Sequence, residues 1–315
     1  MAAAEAGEPV LVCCGLTTLD VTQVVDRLPA PNEKLTGRDL RVAFGGPAAN
    51  AAATAVALGV PTRLVTAVGS GPIAQVVRRL LADAGVELVD LLEGQEIDPP
   101  VSTVLVTAST GERAVVSVND SRPREYRPLP DDVLSGAGTL LVDGRIVEAA
   151  IPLARAARSA GLRVMIDGGS YKPGTEELLE QCEVAIVSAD FHLPGMARTD
   201  AGAEDDLLPI AKLGPSFVAR SFGGGAIKVL DGGVAREVAV RPARQVLDTL
   251  GAGDVLHGAF AAAWERRPGD LLANLDLAAR VATASVERAG ARGWVEDEPV
   301  RAALAQEIAG ASSVL

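Results

Sequence analysis

Short apolar runs and longer helix-periodic stretches follow one another along the chain. Val10 to Cys14 is a continuous apolar run closed by Gly15, as a strand buried on both faces requires. An alanine-rich stretch, Ala48 to Leu58, then predicts a small-faced helix that stops at Gly59. Arg63 to Val68 reads as a strand, Ile73 to Ala84 as a helix and Val86 to Leu92 as a strand. The same order returns later, with strand Thr139 to Asp143, helix Glu148 to Ala160, and strands Arg163 to Asp167 and Val184 to Ser188. Such alternation predicts an α/β fold with a mostly parallel central sheet flanked by helices.

Two stretches break this rhythm. From Thr17 to Val42 apolar and polar residues mix evenly, so Gln23 to Val25 and Asp39 to Val42 read as strands with one wet face. Val101 to Ala108 and Arg113 to Val118 are β-rich runs joined by the turn-forming Ser109-Thr110-Gly111-Glu112. Paired with each other, these insertions would form a small sheet over one end of the core, which is the geometry of a lid. The expected division is a core of residues 1–15, 46–98 and 121–315 and a β lid of residues 16–45 and 99–120. Beyond the Pro-rich connection at Arg122 to Pro130, the C-terminal third adds strands at Phe217 to Arg220, Ile227 to Leu230 and Val234 to Val240. Helices follow at Val255 to Trp264, Leu271 to Arg288 and Val300 to Ile308.

Composition narrows the chemistry. With 315 residues and a net charge of −12, the chain repels polyanions, which argues against a nucleic-acid or anionic-membrane surface. Glu5 and Glu8 stand where a secretory signal carries basic residues, so the expected location is cytoplasmic. Cys13, Cys14 and Cys182 lack metal-ligand spacing and read as buried thiols; with His192 and His257 the only histidines, any metal must be held by oxygen. None of the four lysines closes a G-x-x-x-x-G-K loop, and no G-x-G-x-x-G follows the first strand. A nucleotide must therefore be gripped by backbone amides, helix ends, arginine and metal.

Val246 to Phe260 meets that demand. Gly251-Ala252-Gly253-Asp254 places small residues at a strand-to-helix junction, where backbone amides and the positive end of a helix converge on an anion. A carboxylate beside bound phosphate needs a chemical task, and accepting the proton of an attacking hydroxyl is one. From its spacing alone the motif reads equally as a tight turn with Asp254 as helix cap.

Gly45-Gly46-x-x-x-Asn50 early and Asp248-Thr249-x-Gly251-Ala252-Gly253-Asp254 late, together with the lid-like insertions, resemble the PfkB-type, ribokinase-like carbohydrate kinases over nearly the whole chain. The resemblance implies a three-layer fold and transfer of the γ-phosphoryl group of ATP, with Mg2+, to a sugar or nucleoside hydroxyl. It makes Asp254 the general base and gives the amides of Gly251, Ala252 and Gly253 to an anion hole. Asp20, Gly45, Gly46 and Asn50 become sugar contacts. Arg145, past a strand end, reads as a contact for an anionic substrate group or as a surface arginine. Ser188, Arg220, Gly223, Gly225, Thr249, Gly251, Gly253 and Gly290 fall to the nucleotide, and Asp248 to an optional monovalent cation, K+.

The stretches Gly290 to Trp294 and Asp254 to Gly258 resemble the ketohexokinase-like and sulfofructose-kinase-like branch, which implies a ketohexose or a derivative as acceptor. Ser188-Ala189-Asp190-Phe191 departs from the N-x-x-E segment that many members link to magnesium. The alternatives are a nucleoside kinase of the same family and a catalytically silent sugar-binding or regulatory protein. The expected partners are sugar and ATP, with a homodimer through the lid.

Overall fold

The computed structural model describes residues 10–110, 112–118, 124–195 and 203–310; Glu5, Glu8, Gly111 and Arg122 lie outside them. At its centre is a nine-stranded sheet. The first strand, β1 (Val10–Cys14), runs parallel between β4 (Thr62–Thr66) and β8 (Ala137–Val142), with β5 (Glu87–Asp90) at the near edge. Beyond β8 come β9 (Arg163–Gly168), β10 (Val184–Ser188) and β11 (Phe217–Phe222), all parallel. Two antiparallel strands, β12 (Gly225–Asp231) and β13 (Val234–Val238), close the far edge.

Alternate residues of each buried strand feed two cores. Leu11, Cys13, Leu64, Leu141, Met165 and Ile186 face one side, under α1 (Pro47–Ala57), α2 (Pro72–Asp83), α6 (Ala252–Arg266), α7 (Leu271–Val286) and α8 (Glu298–Ile308). Val12, Cys14, Val65, Leu140, Ile166 and Val187 face the other, under α3 (Val147–Ser159), α4 (Thr175–Leu179) and α5 (Ala203–Ala211). The period-2 pattern thus builds the three expected layers. Helices α4 and α5 are absent from the sequence reading. The first is barely one turn long, and the second carries Pro209 inside it, against the usual propensity.

Helix α6 lies against α1 and is almost wholly buried. A Cβ on Gly258 would stand 2.3 Å from the carbonyl oxygen of Ala51, so only glycine there permits the approach, and the alanines of both helices keep the rest of the seam thin. This packing fixes the N-terminal end of α6 beside the N-terminal end of α1 and the carboxyl ends of β1 and β8.

Residues 18–45 and 101–117 form a second, four-stranded sheet ordered β3 (Asp39–Gly45), β2 (Thr18–Val25), β6 (Val101–Thr107), β7 (Arg113–Ser117). Cross-strand rows Ala43–Asp20–Ser102–Ser117 and Arg41–Thr22–Val104–Val115 share one face. Rows Val42–Val21–Thr103–Val116 and Leu40–Gln23–Leu105–Ala114 share the other. The first face is mainly polar and turns toward the core; the second carries the exposed Leu40, Val42 and Val116.

Candidate active site

The loop from Leu247 to Gly251 is held from behind. The amides of Leu247 and Asp248 both donate to the carbonyl of Val286, at 2.8 and 3.2 Å. Gly251 caps α6 with φ at 72°, a left-handed conformation that glycine adopts without strain, and a Cβ there would collide with that of Ala291 at 2.5 Å. Among the described residues the amides of Gly251 and Gly253 donate to no acceptor. The amide of Ala252 turns back to the Thr249 carbonyl at 3.3 Å, so it is the least available of the three expected donors.

Two cavities meet at this turn. One, of about 420 Å³, is lined by Ala252, Gly253 and Thr249 together with Ser188, Asp190, Gly223 and Gly224, and by an apolar wall that includes Ile227, Leu256 and Val286. The other, of about 360 Å³, lies under the polar face of the lid and is lined by Gly251, Asp254, Asp20, Asn50, Arg145 and Arg292. The first turn of α6 is the wall they share.

Asp254 Oδ2 accepts a 2.7 Å hydrogen bond from Asn50 Nδ2. Burial pushes its carboxyl from the usual 3.8 up to about 7. Asp167 and, more weakly, Asp143 add to the rise, while Asn50 and His257 oppose it. A carboxyl at that value suits proton exchange near neutrality. His257, one turn along α6, is buried: Nδ1 lies 2.6 Å from the Gly253 carbonyl and 3.3 Å from Asp167, and Nε2 lies 3.0 Å from the Ile186 carbonyl. It anchors the helix start to β9 and β10 and does not line either cavity.

Asp20 and the two glycines form one unit. Thr18 Oγ1 donates to Asp20 Oδ1 at 2.8 Å, and a Cβ on Gly45 would stand 2.0 Å from Asp20 Oδ2. Gly46 has φ at 95°, and a Cβ there would meet the Leu16 carbonyl oxygen at 2.3 Å, which lets the lid strand turn directly into α1. Burial raises the Asp20 carboxyl, against the pull of Thr18, Ser102 and Arg292. Arg145 is exposed at the cavity, and its guanidinium forms no ion pair among the described residues.

Two residues absent from the sequence reading of the site complete it. Arg292 stacks on the ring of Phe44 at 3.6 Å, donates to the Phe44 carbonyl at 2.7 Å and hydrogen-bonds Asn50 Oδ1. It thereby orients the Asn50 amide so that its NH2 group faces Asp254. Burial lowers the Arg292 guanidinium to about 10, with Asp20 and Asp254 holding it up. Asp143 accepts from the amides of Leu16 at 2.8 Å, Ala48 at 3.2 Å and Arg145 at 2.9 Å, tying the lid entry, α1 and the end of β8 together. Burial lifts it to about 6 despite the amides of Leu16 and Arg145. The signal for Arg292 was present in the Gly290 to Trp294 loop, but its partners lie more than two hundred residues away.

Several expected nucleotide contacts stand elsewhere. Arg220 is buried and donates to the carbonyls of Ser188 and Phe191 at 3.0 and 2.7 Å, so it braces that turn instead of lining the cavity. Gly225 begins β12 outside the lining, where Gly223 and Gly224 take its place. Gly290 lines the cavity under the lid with Ala291 and Arg292. Asp248 does not offer a vacant carboxylate to K+: it pairs with Arg113 of the lid at 3.1 Å and accepts from the amides of Leu250 and Gly290.

The model of the pfkB family of carbohydrate kinases matches residues 9–298. The chain belongs to that family. It is accordingly a phosphotransferase with an alcohol group as acceptor, and its fold is ribokinase-like. A ribokinase of Arabidopsis thaliana is 27% identical over 272 residues, covering 83% of this chain and 72% of the relative. An ATP-dependent ribose-1-phosphate kinase of Halopiger xanaduensis is 29% identical over 309 residues, covering 94% and 98%. Among solved structures, Arabidopsis thaliana ribokinase complexed with ribose and ATP matches with a TM-score of 0.76 at 24% identity, covering 96% of this chain and 99% of that one. A ketohexokinase of Mus musculus is 24% identical over 264 residues, covering 79% of this chain and 87% of the relative, so the closeness to ketohexokinases expected from the Gly290 loop finds only weak support; that loop faces the lid cavity.

Proposed function

We propose that the protein transfers the γ-phosphoryl group of ATP to a hydroxyl of a monosaccharide, a ketohexose or a derivative of one, with Asp254 as general base. The observation that carries this reading is the shared wall: Ala252 and Gly253 face one cavity, and the Asp254 carboxylate, held by Asn50, faces the other. The acceptor hydroxyl gives its proton to Asp254 as its oxygen bonds to the γ-phosphorus, and the bond from that phosphorus to the bridging oxygen breaks to release ADP. The amides of Gly251 and Gly253, which donate to no acceptor among the described residues, and the positive end of α6 would hold the charge on the transferring group.

The apolar wall of Ile227, Leu256 and Val286 suits a nucleobase, with Thr249 and the glycines at the phosphate end. No group of three or more His, Cys, Asp or Glu is placed to cage a metal among the described residues. That fits Mg2+ arriving with ATP, because magnesium commonly needs one or two carboxylates beside phosphates and water. Asp190, on the nucleotide cavity, is the carboxylate that would face it; the ion would neutralise phosphate charge.

In the lid cavity Asp20 and Asn50 suit vicinal hydroxyls. Arg145, which forms no ion pair among the described residues, favours a sugar carrying an anionic group. A nucleoside fits less well, since Phe44, the aromatic residue of this cavity, already has its ring covered by Arg292. Exposed Leu40, Val42 and Val116 on the outer lid face support a homodimer through the lid, and the buried free thiols suit the cytoplasm. The test is ADP release from MgATP over neutral sugars, acidic sugars and nucleosides, with Arg145→Ala as a probe. Selective turnover of an acidic sugar that Arg145→Ala loses supports the reading, and turnover confined to nucleosides would overturn its acceptor.

A further inference from the structure

Arg113 lies on β7 in the row Val24–Val106–Arg113, on the face of the lid that looks toward the core. Its guanidinium leaves the lid altogether. Nη1 stands 3.1 Å from Asp248 Oδ1, and Nη2 hydrogen-bonds Thr249 Oγ1. Both partners precede the glycine turn that opens α6, one hundred and thirty-six residues from Arg113 in the case of Thr249. The ion pair is mostly out of water, with side chains 24% and 21% exposed, so it is more than a solvated surface contact.

Asp248 is the node of that loop. Its Oδ1 accepts from the Leu250 amide at 2.9 Å and its Oδ2 from the Gly290 amide at 2.8 Å, which sets the chain direction immediately before Gly251. Two neutral amides do not balance its charge, and among the described residues Arg113 is the cation within reach. A bare monovalent ion and a guanidinium cannot occupy the same side of one carboxylate.

Resting on the kinase reading above, we propose that Arg113 is a positioning residue. From the lid it supplies the positive charge that Asp248 needs, so that lid closure and the setting of the anion-hole loop are one event and no dissociable monovalent cation is required. Opening the lid withdraws the guanidinium and frees Thr249 and Asp248 together. ATP is thereby held in reactive geometry only when the acceptor cavity is covered, which disfavours transfer to water.

The test uses the full chain with MgATP and its best acceptor, in tetramethylammonium buffer with and without added K+. Wild type is expected to turn over equally in both. Arg113→Ala is expected to lose roughly 10- to 100-fold in kcat with a smaller change in the acceptor KM, to regain part of that loss on addition of K+, and to exchange its amides at 248–253 faster with deuterium. Arg113→Lys should fall between the two. Absolute K+ dependence of wild type overturns the proposal, as does an Arg113→Ala protein with unchanged kcat and unchanged exchange. Loss of activity without faster exchange and without rescue by K+ also overturns it. Failure of wild type to phosphorylate any acceptor counts against the kinase reading instead, and the exchange comparison still decides whether Arg113 holds the loop.

Discussion

Replacing Asp254 by Asn should make the protein more stable at alkaline pH while it removes the carboxylate proposed as the base. The Asp254 carboxyl rises from 3.8 to about 7 in the fold, chiefly through burial and then through Asp167. The folded protein therefore holds this proton more tightly than the unfolded chain. The contribution is fully present below about pH 4 and is lost as pH rises through about 7. At 1.36 kcal/mol per pKa unit the charged form costs the fold about 4 kcal/mol, an upper bound. Asp254 also touches the solvent of the cavity, which screens it, so a net gain of roughly 1–3 kcal/mol at pH 8 is the working figure. An asparagine carbonyl can still accept the bond from Asn50, so geometry is retained. Urea unfolding of both proteins between pH 4 and 9 is the assay. The variant should be more stable at pH 8, with the difference shrinking toward zero near pH 4. Equal stabilities at both ends, or a less stable variant at pH 8, would refute the electrostatic reasoning.

Other perturbations follow from the same geometry. The kcat/KM of wild type should rise with pH through about 7, as the Asp254 carboxyl ionises in the free enzyme; a flat profile from pH 5 to 9 would speak against it as base. Gly45→Ala should displace Asp20 from its place beside β3 and raise the acceptor KM well above any change in the ATP KM. Gly258→Ala drives a methyl into the Ala51 carbonyl on α1 and should cost roughly 1–3 kcal/mol or more in denaturant unfolding. Arg292→Ala should lower kcat about 10-fold or more by freeing the Asn50 amide to rotate, and Asn50→Asp should be worse, since it sets a second carboxylate against Asp254.

Local patterns carried most of the architecture. The apolar runs at 10–14 and 184–188 and the alanine-rich stretch at 48–58 are strands and a helix because period and burial agree there. The interruption at 17–42 and 101–118 marked the lid because a sheet with one wet face breaks the parallel-core pattern. Helices α4 and α5 escaped notice, being a single turn and a helix that tolerates Pro209. In the site, the Gly251 to Asp254 turn was legible because its residue types are dictated by backbone geometry. Arg292, Asp143 and Arg113 were not, since, the Arg145 amide beside Asp143 apart, each acquires its role from partners 95 to 248 residues away that only the fold brings near. Arg220 misled for the opposite reason: its place beside a glycine-rich turn suggested a phosphate contact, while the fold spends it on two backbone carbonyls.

The central claim is that Asp254, on the wall between the two cavities, removes the acceptor's proton during direct transfer from ATP. Its most direct test is 31P detection of a sugar phosphate formed from MgATP, run beside Asp254→Asn with binding of both ligands checked by calorimetry. We predict a phosphorylated monosaccharide with wild type, and a variant that binds ATP and sugar normally but turns over at least about 100-fold more slowly. A variant that keeps wild-type turnover, or a wild type that binds sugar and ATP without ever joining them, would contradict the account.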